Sequence, residues 1–277
     1  MKKLTYLQIE ITGNCRHHCR ICLPPEKRTR IDMTTADAEC ICMQAECAGV
    51  SALTVTGFGN PVAHPKYAEL MKLFTGKFTT TVTCRPEDLG KVGSAHRVNV
   101  SVRSLRDAEM LVDGTTTLYP PTRRKIVPHL VLTRQLRAVL GPILRVLISD
   151  LARWERVTVA SPVVLCDDPL HRMAVSDANY GKSDSWGALR RMLRVLPAEE
   201  AGKFELCDYR PRKADCAWIK GGLLVNGRMD VLPCCNLPRA HPIGNLKQTT
   251  LEEIVERFPH ASYSALCDKC PDTGDRT

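Results

Sequence analysis

The chain has 277 residues and a mass of 30.8 kDa, with 44% hydrophobic and 25% charged residues, the balance of a folded globular protein with room for one large domain and a smaller appended one. No apolar run is long enough to cross a bilayer, and Thr5, Gln8 and Glu10 interrupt the N-terminal stretch where a secretion signal needs an apolar core, so the sequence predicts a cytoplasmic chain. Its 39 Lys plus Arg against 30 Asp plus Glu (+9) suit a phosphate-bearing or acidic partner, and equally plain solubility; its 14 cysteines, in a reducing compartment, point to metal rather than disulfides.

In chain order, Leu7, Ile9 and Ile11 alternate with polar residues as a first strand, which Gly13 ends just before the first cysteine. Thr34 or Thr35 caps a helix running towards Gly49, followed by a strand over Ala52 to Thr56 and the turn Gly57-Phe58-Gly59-Asn60-Pro61. A helix over Pro65 to Phe74 leads to a strand over Thr79 to Thr83. A short helix then precedes a strand over Val98 to Val102, and Arg106 to Val112 is helical. His129 to Thr133 forms a fifth strand, Leu140 to Trp154 a long amphipathic helix and Arg156 to Ala160 a sixth strand. Six β/α alternations predict an α/β fold: a parallel sheet, closed or partly closed as a (β/α)6 TIM-like barrel, with its chemistry at the C-terminal strand ends. Ser183 to Leu196 adds a helix, and from Cys207 cysteines crowd in between Gly and Pro. The expected division is a barrel domain over residues 1–200 and a small cysteine-rich domain over 201–277.

Cys15, Cys19 and Cys22 follow the first strand as C-x-x-x-C-x-x-C, in a loop that also carries Arg16, His17, His18 and Arg20. Three thiolates this close can hold three corners of a cubane cluster, leaving one iron open; with His17 or His18 as a fourth ligand they would equally make a structural zinc site. Spacing alone leaves both open. The triplet after strand one, together with the glycine loop after strand two, resembles the radical S-adenosylmethionine (radical SAM) superfamily. The resemblance implies that Cys15, Cys19 and Cys22 hold a 4Fe-4S cluster whose fourth iron is chelated by the amino and carboxylate groups of SAM. One electron then splits SAM into methionine and a 5′-deoxyadenosyl radical, which takes hydrogen from a substrate. The loop Gly57 to Pro61 is similar to the family's Gly-Gly-Glu-Pro turn, which meets the SAM amino group. Asn60 stands at the acid's place, an acceptor without charge assistance. By the same resemblance Ser101 touches SAM, Arg85 reaches its carboxylate, and Ile21, at a commonly aromatic position, gives only a dispersive contact to adenine.

Near the C-terminus, Cys216 precedes a hairpin, Leu223 to Val225 and Val231 to Leu232 about the turn Asn226-Gly227, that ends in Cys234-Cys235. Thr250 to Phe258 is helical, and Cys267 and Cys270 close the chain as C-x-x-C. Four such thiolates enclose a metal completely, and alone the pattern reads as zinc. The segment resembles the auxiliary-cluster extension of radical SAM enzymes, SPASM in its long form and twitch in its short one. That implies an auxiliary 4Fe-4S cluster on Cys216, Cys234, Cys267 and Cys270, with Cys235 able to replace Cys234. Cys207 and Cys235 are too few for a second cluster, which favours twitch. Cys40, Cys42, Cys47, Cys84 and Cys166 read as small core residues.

The resemblance implies oxidation, cross-linking or rearrangement as the chemistry, with a flavodoxin or ferredoxin as reductant. A peptide substrate fits the architecture. A nucleic acid or nucleotide fits the basic stretches Thr122 to Lys125 and Arg210 to Lys213, although 5% aromatic residues advertise no base-stacking platform. A small sugar or aminocyclitol fits the short extension. The reading from another class is a zinc protein that binds nucleic acid and catalyses nothing.

Overall fold

The computed structural model describes residues 4–17, 19, 22, 28, 31–117, 125–132, 134–160, 182–207, 221–235 and 242–257. Their strands are β1 (Tyr6–Ile9), β2 (Ala52–Val55), β3 (Thr79–Cys84), β4 (Arg97–Val102), β5 (Lys125–Val131), β6 (Val157–Ala160), β7 (Phe204–Cys207), β8 (Gly222–Val225), β9 (Asp230–Leu232) and β10 (Gly244–Asn245). The α-helices are α1 (Thr35–Cys47), α2 (Tyr67–Thr75), α3 (Leu105–Thr117), α4 (Arg134–Ser149), α5 (Lys182–Arg194), α6 (Ala198–Gly202) and α7 (Leu251–Arg257). All strands join one sheet in the order β10-β9-β8-β1-β2-β3-β4-β5-β6-β7; β8 through β7 run parallel, and β9 and β10 are antiparallel additions at one edge. Among the described residues β7 does not pair back to the other edge, so their sheet forms an open barrel.

Local chemistry explains the element boundaries. Thr34 caps α1: its hydroxyl accepts from the Asp37 N–H at 3.0 Å, while the Asp37 carboxylate takes the Thr34 N–H at 3.4 Å, satisfying two otherwise orphaned donors. Two prolines displace the expected boundaries. β5 starts at Lys125 and runs through Pro128, opposite Val100, and α4 starts at Arg134 with Pro142 inside it. Proline removes a backbone donor from both, so pattern reading starts each element too late.

Strand parity sorts the side chains onto two faces. Leu7, Ile9, Leu53, Val55, Val82, Val98, Val100, Leu130, Val157, Val159 and Val225 belong to the helix-side core, which α1, α2 and α4 cover with Ile41, Phe74, Ile143 and Leu147. The alternate positions are largely polar: Gln8, Thr54, Thr81, Thr83, Asn99, Ser101, His129, Thr158 and Glu205. A parallel sheet packed on both faces is apolar on both. A polar second face marks a lumen.

From the C-terminal segment, β7 to β10 are part of this sheet. β8 lies parallel to β1 with Tyr6 opposite Gly222 and Ile9 opposite Val225, and the expected domain boundary at residue 200 falls inside α6. Gly222 is required because a Cβ there would collide with the Tyr6 ring. In the β8–β9 turn the residue with positive φ is Met229 (68°), while Gly227 is needed for close approach, since a Cβ there would lie 2.6 Å from the Ile31 carbonyl oxygen. Cys42 and Cys84 are buried and Cys40 packs against the core, as expected of small apolar side chains, but Cys47 is exposed: it falls on the solvent face at the end of α1. Cys166 lies outside the described residues.

Candidate functional site

The loop after β1 is latched at its base. Asp32 accepts from the Thr12 hydroxyl at 2.5 Å and from Asn14 Nδ2 at 3.0 Å, and the Met33 N–H bonds the Ile11 carbonyl at 2.8 Å. Between these points the chain carries Cys15, Cys19 and Cys22, all partly exposed. The Cys22 N–H donates to the Cys19 carbonyl at 3.0 Å, the His17 N–H points at Cys15 Sγ at 3.4 Å, and Cys22 Sγ lies 3.6 Å from the Phe58 carbonyl oxygen of the glycine loop. Burial pushes the Cys22 thiol above its ordinary range; Arg28 opposes this, Cys19 adds to it, Arg103 opposes it and Cys15 adds to it. Cys22 thus lies within electrostatic reach of both other thiols and of two guanidinium groups. Among the described residues no three His, Cys, Asp or Glu gather at the spacing of a single ion. His17 faces Glu87 (Nε2 to Oε1, 3.5 Å), with burial lowering its pKa. Soft thiols on one loop are the donors an iron–sulfur cluster takes.

Glycines let the loop after β2 close over β1. At Gly57 a Cβ would overlap the Glu10 carboxylate, and at Gly59 the Thr12 carbonyl oxygen; neither glycine has positive φ, so close approach explains them both. Glu10, buried at the end of β1, accepts from the Phe58 N–H at 2.8 Å, an anchoring residue that sequence reading missed. The backbone N–H of Asn60 bonds the Asn14 carbonyl at 2.8 Å, tying this turn to the cysteine loop. Asn60 is 7% exposed; its Nδ2 donates to Asp88 Oδ2 at 2.8 Å and its Oδ1 is buried with no hydrogen-bond partner among the described residues.

Past β3, Arg85 is engaged by Asp107 (2.8 Å) at the start of α3 and by the Ser101 carbonyl (3.1 Å). Ser101 itself is buried on the lumen face. Two positions on, where strand parity returns to that face, Arg103 holds Nε and Nη1 buried without partners among the described residues; parity was the signal that could have singled it out. Ser101 stands opposite His129, His129 opposite Thr158, and Thr158 opposite Glu205, a polar row across β4 to β7. The Thr158 hydroxyl donates to Glu205 at 3.1 Å. Burial, reinforced by Arg103 and opposed by Glu205, drives the His129 pKa down to about 4, so its imidazole is neutral at physiological pH.

Cys234 and Cys235 end the hairpin and are partly buried. Ile21, Cys216, Cys267 and Cys270 lie outside the described residues, as do His18, Thr122 to Arg124 and Arg210 to Lys213. No described helix is long and apolar enough to cross a membrane.

No family model matches the sequence, and no curated protein matches it. Solved structures do. Streptococcus suis SuiB bound to S-adenosylmethionine is 15% identical with a TM-score of 0.71, covering 98% of this chain and 72% of that one. SuiB bound to its precursor peptide SuiA gives 15% identity and a TM-score of 0.60, over 99% and 71% of the two chains. Coproporphyrinogen III oxidase (HemN) from Escherichia coli, a radical SAM enzyme, gives 15% and 0.47 over 73% and 54%, too low a score to bear on the fold. The structural likeness to SuiB over nearly the whole chain, at a sequence identity that speaks for architecture alone, shows that this chain shares the fold of that S-adenosylmethionine-bound protein, an α/β partial barrel.

Proposed function

We propose that this chain is a radical SAM enzyme whose 4Fe-4S cluster is held by Cys15, Cys19 and Cys22. The observation that carries the reading is geometric: the three thiols lie on one loop after the C-terminal end of β1, with Cys22 in electrostatic reach of the other two and its Sγ against the glycine loop after β2. When bound, the cluster and SAM supply a 5′-deoxyadenosyl radical that abstracts hydrogen. The residues of this chain bind and orient. The turn at Gly57 to Asn60 takes the SAM amino group; Arg103, with two unpartnered guanidinium nitrogens beside Cys22, is the cation for the carboxylate; Arg85, held by Asp107, braces the strand end that carries Ser101. By the resemblance, Ile21 is assigned a dispersive contact to adenine. Cys216, Cys234 or Cys235, Cys267 and Cys270 would hold an auxiliary 4Fe-4S cluster, which would supply a one-electron acceptor for substrate oxidation, and a flavodoxin or ferredoxin would be the external reductant.

A peptide is the favoured substrate, because SuiB in its precursor-peptide complex shares this fold over 99% of the chain. Anaerobic reconstitution tests the reading. Brown protein carrying about eight irons, two cubanes' worth, and releasing 5′-deoxyadenosine from SAM under dithionite supports it; colourless protein with stoichiometric zinc returns the chain to the non-catalytic class. Cys19→Ala abolishes SAM cleavage, whereas Cys270→Ala spares it and impairs substrate turnover.

A further inference from the structure

The sequence places an amide, Asn60, where the resembling turn has an acid. The structure shows what stands behind that amide. Asp88 is 2% exposed and receives Lys91 Nζ at 2.9 Å, Arg16 Nη2 at 3.5 Å and Asn60 Nδ2 at 2.8 Å. Although burial opposes it, the hydrogen bonds from Lys91 and Asn60 hold the Asp88 carboxyl below the usual carboxylate range, so it is ionised and can only accept. An acceptor-only partner fixes the amide: the NH2 must face Asp88 and the oxygen must face away. That oxygen, Oδ1, is buried and unpartnered among the described residues, on the turn whose backbone is tied to the cysteine loop through Asn14. A buried acceptor left unmade is costly, which marks the atom as waiting for a donor.

We propose that Asn60 and Asp88 act as a relay: Asp88 orients and polarises the Asn60 amide so that Oδ1 accepts an N–H from the amino group of S-adenosylmethionine, restoring through a neutral side chain the negative character the turn lacks. Asn60 is the contacting residue and Asp88 the positioning residue. The relay rests on the reading of this turn as the SAM amino-group site, and it assigns Asp88, which sequence reading passed over, to cofactor recognition.

The test is equilibrium dialysis of the anaerobically reconstituted full chain against two probes, SAM and its analogue lacking the α-amino group, with iron content and circular dichroism checked for each variant. Asp88→Asn removes the charge and lets the two facing amides adopt either orientation; it weakens SAM about tenfold, the scale of one charge-assisted hydrogen bond, and leaves the analogue unchanged. The exchanged pair Asn60→Asp with Asp88→Asn puts the carboxylate forward and the amide behind, and returns SAM affinity to within about threefold of wild type. Should Asp88→Asn alone fail to fold, the exchanged pair and Asn60→Leu carry the comparison, Asn60→Leu weakening SAM but not the analogue. SAM binding untouched by these changes, or both probes weakened alike, overturns the relay while leaving the proposed function standing. A wild-type protein that loads iron and binds no SAM overturns both.

Discussion

Gln44 Oε1, on α1, accepts a 2.7 Å hydrogen bond from the backbone N–H of Leu251, which opens α7 at the far end of the described chain. The same side chain donates from Nε2 to the Leu246 carbonyl at 3.3 Å. One amide thus satisfies an orphaned first-turn donor of α7 and a loop carbonyl, while Leu246, Leu251 and Ile254 enter the core beneath it. Gln44→Ala leaves a buried N–H unpaired and destabilises the fold by about 1–3 kcal/mol. Urea unfolding measures the loss, and hydrogen exchange localises it: amides of α7 exchange faster while those of β2 and β3 do not. Uniform acceleration would mean that Gln44 is not a local clasp.

Two glycines with different surroundings give opposite expectations for the same substitution. Gly59 sits against the Thr12 carbonyl, so Gly59→Ala must move backbone and separate the turn from the cysteine loop. At Gly114, inside α3, an added methyl would meet only Leu89 Cδ2 at 3.9 Å, an ordinary contact. Gly114→Ala therefore gains helix propensity, up to about 1 kcal/mol, with SAM affinity unchanged. Gly59→Ala loses SAM affinity and lowers the melting temperature. Thermal unfolding together with SAM dialysis separates the two, and a tolerated Gly59→Ala would remove close approach as the reason for that glycine.

The alternation of strands and helices was legible because several strands pair a branched apolar residue with a polar one at period two, as in Leu53-Thr54-Val55 and Val98-Asn99-Val100. The cysteine triplet and the hairpin before Cys234 were legible as spacings. What escaped were relationships between distant residues. β8 reads from sequence as half of an isolated hairpin, and nothing local announces that Tyr6 will lie opposite Gly222. β7, Phe-Glu-Leu-Cys, is too short to stand out from the cysteine-rich stretch that follows it. Glu10 looks like an ordinary outward-facing strand residue until the glycine loop folds over it. Asp88 and Asn60 carry no shared motif; only the adjacency of β2 and β3 brings their loops together.

Cluster loading should depend on pH through Cys22. A thiol raised by burial is protonated near neutrality, and metal takes the thiolate, so each iron bound there displaces a proton. Iron retained per chain after reconstitution at fixed iron and sulfide therefore rises from about pH 6.5 to about pH 8.5. Arg28, the larger of the two charges that favour the thiolate, sets the position of that curve. Arg28→Gln shifts it to higher pH. A loading curve that is flat, or that moves to lower pH in Arg28→Gln, would contradict the thiol's assigned environment.

His129 predicts the acid limb of stability. Its folded pKa is lowered to about 4 from 6.5, so between those values the unfolded chain binds a proton that the folded chain refuses. Stability is fully present above pH 6.5 and is lost as pH falls towards 4, by about 2 kcal/mol at pH 5 from this group. Besides burial, the cause is Arg103 on the neighbouring strand end, with Glu205 on β7 acting in the opposite sense, while Ser101 and Thr158 flank the ring without charge. His129→Gln removes the titration and flattens the urea-stability profile between about pH 6.5 and about pH 4.5. Arg103→Gln raises the His129 pKa and so narrows the window from below without abolishing it. An unchanged slope in His129→Gln would place the acid sensitivity elsewhere, whereas a slope that disappears in both variants would show that the guanidinium, rather than burial, keeps this imidazole neutral in the lumen.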